Sequence, residues 1–173
     1  MFIGHNFIQV SILASSMMIA GFAASADEIA QPVGDVLLTI SGNIENTNRE
    51  GVAIFDIDML KELPRTEFAT TTIWTQGNKE FAGVALQDLL EFVGGEGSSL
   101  RAIAVNDYAV EIPIDSLGAV APIVAYELNG SAMSLRNNGP LWIVYPYDTD
   151  DTYRTEVIYS RSIWQLVTLE VLE

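Results

Sequence analysis

The stretch FAGVALQDLLEFVG, residues 81–94, decides how the chain folds. The sequence before and after it alternates or is rich in β-branched residues. Here the apolar residues shift to helical spacing, with Val84, Leu86, Leu89, Leu90 and Val93 on one face, and Gly94-Gly95 closes the run. A helix set among strand-like segments predicts an α+β domain rather than an all-β one. Upstream, Gln76-Gly77-Asn78-Lys79 reads as a turn, and Thr66 to Thr75 (TEFATTTIWT) as a strand. Asp56 is placed to cap a short helix, DIDMLKEL, which stops ahead of Pro64. Asn46 to Gly51 is polar and loop-like. Asp35 to Ile44 reads as a first strand closing on Gly42-Asn43.

Downstream, Leu100 to Val105 and Tyr108 to Ile112 flank Asn106-Asp107, residue types that tolerate positive φ, so a hairpin is predicted. Pro113 to Gly118 turns the chain through a short helical segment near Asp115. Ile123 to Leu128 is a strand followed by Asn129-Gly130, a second hairpin signal. Arg136 to Gly139 is a polar loop, Leu141 to Tyr145 a short apolar strand, and Asp148 to Thr155 an acidic loop. The tail SIWQLVTLEVLE alternates Ile163, Gln165 and Val167 against Trp164, Leu166 and Thr168, as a final strand does. The reading is one strand-rich α+β domain.

Residues 1–26 have a different character. An apolar run from about Phe7 to Phe22 ends in Ala24-Ser25-Ala26, a small-x-small pattern suited to signal peptidase, although no Lys or Arg precedes it. It is short for a spanning helix, which needs roughly 20 residues. The expectation is an export signal at 1–26, a mature domain over 27–173 and a periplasmic location. Every charged residue lies in that domain, which therefore carries the net charge of −15. Such a field repels nucleic acid. With no Cys in the chain there is neither a disulfide-linked partner nor a thiolate ligand. The single His, His5, lies in the presumed signal, so the mature chain lacks the imidazole of Ser-His-Asp catalysis and of His-based metal sites. The acids Asp148, Asp150, Asp151 and Glu156 lack the glycine-centred spacing of a calcium loop and read as solvated.

Several segments, in order, resemble one family. FAGVALQDLLEFVG is similar to the F-x-G-V-x-L-x-D-L-L segment of the sulfite-oxidase-like, or oxidoreductase molybdopterin-binding, domain. Pro140 to Pro146 (PLWIVYP) resembles its P-L-R-L-V-V-P strand, and Ser162-Ile163-Trp164 its V-K-W element. Asn106 to Pro113 and Tyr126 to Arg136 resemble a short exported bacterial subgroup. The resemblance implies a mixed fold with a cleft that, in the family's enzymes, holds a molybdenum cofactor through its pterin. The departures are chemical. The cysteine that binds molybdenum is expected near Thr70 to Trp74, and this chain has none. Trp142 stands where the family has an arginine, and Ile163 where it has a lysine. A molybdenum cofactor is therefore not expected, and neither is oxo-transfer catalysis. What remains is a metal-free pterin, a flat neutral bicycle that wants an aromatic face and hydrogen-bonding groups at its edge. The subgroup implies an exported, non-catalytic pterin-binding sensor whose partner is the periplasmic domain of a membrane-bound cyclic-di-GMP enzyme. Two alternatives stay open: a molybdopterin-dependent oxidoreductase, and a structural or interaction protein with a vestigial cleft.

The candidate ring-binding residues are Trp74, Thr75, Asn106, Asp107, Arg136, Trp142, Tyr147 and Asp148. Trp142, mid-strand, is either core or a stacking face. Trp74 precedes a turn at the mouth expected for the cleft, with Thr75 beside it. Asn106 and Asp107 are turn residues that could also reach a ring edge. Arg136 either pairs with a nearby acid or meets a ligand carbonyl. Tyr147 and Asp148 lie where a strand leaves the sheet, a common place for sites. Trp164 matches a tryptophan that is structural in the family and is read as core.

Overall fold

The computed structural model describes residue 1 and residues 29–118 and 121–173. The presumed signal at 1–26 lies outside the described residues, apart from Met1. The chain runs through β1 (Leu38–Gly42), β2 (Ala53–Phe55), α1 (Ile57–Glu62), β3 (Arg65–Thr70), β4 (Lys79–Ala85) and α2 (Leu86–Val93). It continues through β5 (Ser99–Ala104), β6 (Ala109–Pro113), β7 (Ile123–Leu128), β8 (Ser131–Ala132), β9 (Trp142–Val144), α3 (Glu156–Arg161) and β10 (Leu166–Leu172). The result is a strand-rich α+β fold.

Two sheets organise these elements. One has the order β2-β1-β10-β5-β6, with β1 and β10 parallel and every other pair antiparallel. The other is antiparallel, β3-β4-β7, and the outer edge of β7 pairs with β9 through Ala125↔Trp142 and with β8 through Glu127↔Ala132. The segment before β10 joins the sheets. Ile143 N–H donates to Ile163 O (2.9 Å) and Leu166 N–H to Leu141 O (3.1 Å), so residues 163–166 run along β9 before β10 enters the first sheet. β5 shows the strand period plainly: Leu100, Ala102 and Ala104 are buried and the residues between them are not.

The stretch at 81–94 is half strand, half helix, which corrects the expectation of helix throughout. Phe81 to Ala85 is all buried because β4 is sandwiched between β3 and β7 and covered on both faces. A strand buried on both faces loses its alternation, so period alone cannot separate it from a buried helix turn. Gly83 is required there: a Cβ would lie 2.0 Å from Val124 O at the register shift against β7. Ala85 is still extended, and Leu86 N–H bonds to Pro122 O (2.9 Å) as the helix begins. Leu86, Leu89, Leu90 and Val93 then face Ile40, Leu100 and Leu169 of the first sheet around a small residual gap. Gly94 ends the helix in the left-handed region (φ 60°), where its Cβ-free backbone carries no steric penalty.

Asp56 caps α1 as its position implies, its Oδ1 accepting from Met59 N–H at 2.9 Å. Its Oδ2 also takes Val33 and Gly34 N–H, both at 2.8 Å, so one carboxylate ties the incoming chain to the helix start. Both predicted hairpins form, with Asp107 at φ 63°, Asn129 at 51° and Gly130 at 70°; Asn106 does not take positive φ, and the first connection runs over residues 105–108 rather than two residues. Three expectations need correction. The strand drawn over Thr66 to Thr75 ends at Thr70, leaving Trp74 and Thr75 in the β3–β4 connection. Helix α3, capped by Thr155 through Ile158 N–H (3.3 Å), falls where no helix was predicted. The tail's simple alternation fails at Gln165, whose φ of 52° resets which side chains point inward: Ile163 and Leu166 are both buried.

Candidate functional site

The junction between the sheets gathers aromatic side chains. Trp142 of β9 is fully buried at 0% exposure, and its indole N–H donates to Ser162 O at 3.2 Å. Tyr147, just beyond β9, is also buried and donates its hydroxyl to Ser162 Oγ at 2.6 Å. Trp74, from the β3–β4 connection, reaches into this group. Its ring centroid lies 5.7 Å from Trp142, 6.2 Å from Tyr147, 5.8 Å from Tyr159 and 5.7 Å from Trp164. All four contacts are edge-to-face, the geometry that ring quadrupoles favour.

Beside Trp74 opens a cavity of ≈ 300 Å³. Trp74, Trp164, Tyr159 and Tyr108 supply its aromatic walls, Ala104 and Ile163 apolar surface, and Asn106, Ser160 and Ser162 its polar groups. None of these lining side chains carries a formal charge, in a chain of net charge −15. The hydroxyls are partly committed: Ser160 Oγ donates to Val157 O (2.7 Å) and Ser162 Oγ to Ile158 O (2.8 Å). Asn106 Oδ1 accepts Tyr108 N–H at 3.3 Å, while its amide donors have no partner among the described residues. The site can thus take a flat, uncharged ring and donate hydrogen bonds to its edge.

The eight candidates divide accordingly. Trp74 and Asn106 line the cavity. Trp142 and Tyr147 join the same aromatic group but sit behind Trp74, as core rather than as cavity wall. Thr75 lies beside Trp74 in the connection, where its N–H bonds to Thr72 Oγ1 at 3.0 Å. Asp107 is the exposed tip of the β5–β6 hairpin, outside the cavity lining. Arg136 is exposed on a short 3-10 turn, Leu135–Asn137, also outside it.

Asp148 has a structural post. Its carboxylate accepts Thr71 N–H (2.6 Å) and Thr71 Oγ1–H (2.7 Å), and Arg154 Nη2 lies 3.1 Å away. The Thr71 backbone bond, then the Thr71 hydroxyl and Arg154, hold its carboxyl below the usual range. It moors the start of the connection that carries Trp74.

Burial has the opposite sign on the phenols. It pushes Tyr147 up to about 12, and Tyr145 higher still. The Tyr145 hydroxyl is buried without a hydrogen-bond partner among the described residues, and the structure offers no account of that.

Sequence reasoning missed Tyr108, Tyr159, Ser160 and Ser162, and it placed Trp164 in the core, whereas Trp164 is 39% exposed and forms a wall. Tyr159, Ser160 and Ser162 belong to α3 or its end, so they stayed hidden with that helix. Thr155 followed by Glu156 was the available start signal. The cavity mouth also has an apolar rim: Ile73, Val105, Tyr108, Leu135, Val157 and Trp164 are all exposed. Tyr108 and Trp164 line the cavity, Ile73 and Val105 neighbour lining residues in the chain, Val157 O accepts from Ser160 Oγ (2.7 Å), and Leu135 O accepts from the side-chain amide of Gln165 (2.9 Å), next to Trp164. No protein-family model matches the chain, and no curated protein matches it.

Proposed function

We propose that the protein is an exported, non-catalytic binding module for a metal-free pterin, built on a sulfite-oxidase-like domain. The observation that carries this reading is the uncharged cavity of ≈ 300 Å³ walled by Trp74, Trp164, Tyr159 and Tyr108. Ligand pockets range from roughly 300 to 1,000 Å³, so this one suits a small bicycle rather than a nucleotide-sized cofactor. Aromatic walls favour a flat ring by about 0.5–1.5 kcal/mol beyond area. An uncharged lining favours a neutral ligand, because an ion would be desolvated there without a counter-charge. Asn106 supplies donors for a ring carbonyl or ring nitrogen.

The residues present do not suit the molybdenum form of the cofactor. The chain has no thiolate to bind the metal, and no Lys or Arg lines the cavity to meet its phosphate and dithiolene charge. The apolar rim supports a protein partner at the cavity mouth, in keeping with a sensor that reports to the periplasmic domain of a membrane-bound cyclic-di-GMP enzyme. The test is to extract the protein purified from its native envelope fraction and analyse the extract by blue fluorescence and mass. A stoichiometric pterin supports the proposal; molybdenum in stoichiometric amount would replace it with the oxidoreductase reading.

A further inference from the structure

Trp74 is an aromatic side chain enclosed by other aromatic side chains, yet it comes from a connection with little else to hold it. Thr71 is moored to Asp148. Beyond it, among the described residues, the hydrogen bonds of residues 72–78 stay within the connection: Trp74 and Thr75 N–H to Thr72 Oγ1 (3.1 and 3.0 Å), and Thr72 to Thr75 (2.9 Å). The indole N–H of Trp74 has no hydrogen-bond partner among the described residues, in contrast to that of Trp142. Apolar packing, the four ring contacts foremost, therefore seats residue 74 against the body of the protein, with no hydrogen bond from it to that body among the described residues.

Those contacts describe a box. Trp142, Trp164, Tyr147 and Tyr159 surround the Trp74 indole at centroid distances from 5.7 to 6.2 Å. Trp164 and Tyr159 also wall the open cavity, whereas Trp142 and Tyr147 do not touch it. Trp74 stands between the open cavity and the two buried rings. The geometry points to a second, deeper ring site, now filled by the protein's own indole: a flat fused bicycle enters the box of Trp142, Trp164, Tyr147 and Tyr159 when the Thr71-moored connection lifts Trp74 out. This deepens the ring-binding reading above and rests on it for the ligand class. A pterin and an indole are both flat bicycles of similar area, so one can replace the other without rebuilding the walls. For the ring edge the lining offers the Asn106 amide, whose donors have no partner among the described residues.

Removing the plug tests the site without any pterin. Trp74→Gly should bind free indole in the emptied box, its melting temperature rising by roughly 4 °C more than the wild type's at about ten times the variant's dissociation constant. A Trp74→Gly protein that is native by circular dichroism and gains no more from indole than the wild type overturns the inference. If that variant does not fold, amide hydrogen exchange on the wild type decides. Lifting predicts that Trp74 and Thr75 exchange at least about 100-fold faster than Ile143 and Val144 of β9; equal protection overturns it. Pterin titration of the wild type tests the parent reading separately, so failure of one is not mistaken for failure of the other.

Discussion

An indole buried completely must leave its N–H with a partner or lose much of what its area gains. Trp142 satisfies this through Ser162 O, and the same residue's Oγ receives the Tyr147 hydroxyl. Ser162, itself 1% exposed, is thus the polar pin of an otherwise apolar cluster. Trp142→Ala is expected to lower unfolding free energy by about 4 kcal/mol, measured from denaturant midpoints. Trp164→Ala, which truncates a ring 39% exposed at the cavity wall, is expected to remove no more than about 2 kcal/mol. Equal losses would contradict the division between core and wall. Trp142 shows the limit of residue-level reading. Its neighbours Leu141 and Ile143 announce a strand, but which face of a three-residue strand looks at the cavity depends on Trp74, far away in sequence. Asn106 was easier, since a polar residue in a hairpin connection is expected to be exposed, and it is.

At the scale of elements, the chain's punctuation was legible and its long-range pairing was not. The helix cap made by Asp56 and the turns at Asn129-Gly130 and Asp107 rest on bonds and dihedrals only a few residues long, and in each the residue type dictates the local backbone. The span 81–94 misled because a doubly covered strand and a buried helix turn present the same apolar run. Helix α3 was hidden because Val157 and Ile158 weaken its helical signature and Val157 is exposed. Asp56 gives this scale its pH prediction. The backbone bond from Met59, then that from Gly34, hold its carboxyl below the usual range despite burial. A carboxylate with a lowered native pKa contributes stability that is present above its unfolded value of about 3.9 and lost as pH falls through the native one. The gap in melting temperature between wild type and Asp56→Ala should therefore be full at neutral pH and narrow toward pH 2. A gap independent of pH would show that Asp56 acts by shape alone.

For the whole molecule, two sheets joined along β9 and residues 163–166 place the buried Tyr145, Tyr147 and Trp142 at one junction, with a cavity on its open side. Alkali tests the buried part. With native phenol values raised to about 12 for Tyr147 and further for Tyr145, the contribution of these groups is intact below the unfolded value of about 10 and is lost as pH climbs. Absorbance at 295 nm should show these two tyrosines ionising only together with unfolding; their ionisation ahead of unfolding, in the native state, would contradict the packing. The open side is tested by calorimetric titration of the purified protein with biopterin, whose fully oxidised ring system is flat. The account predicts a dissociation constant on the order of 10 μM, weakened about three- to tenfold by Trp164→Ala. No binding at about 1 mM pterin, or the same affinity in wild type and Trp164→Ala, would contradict it.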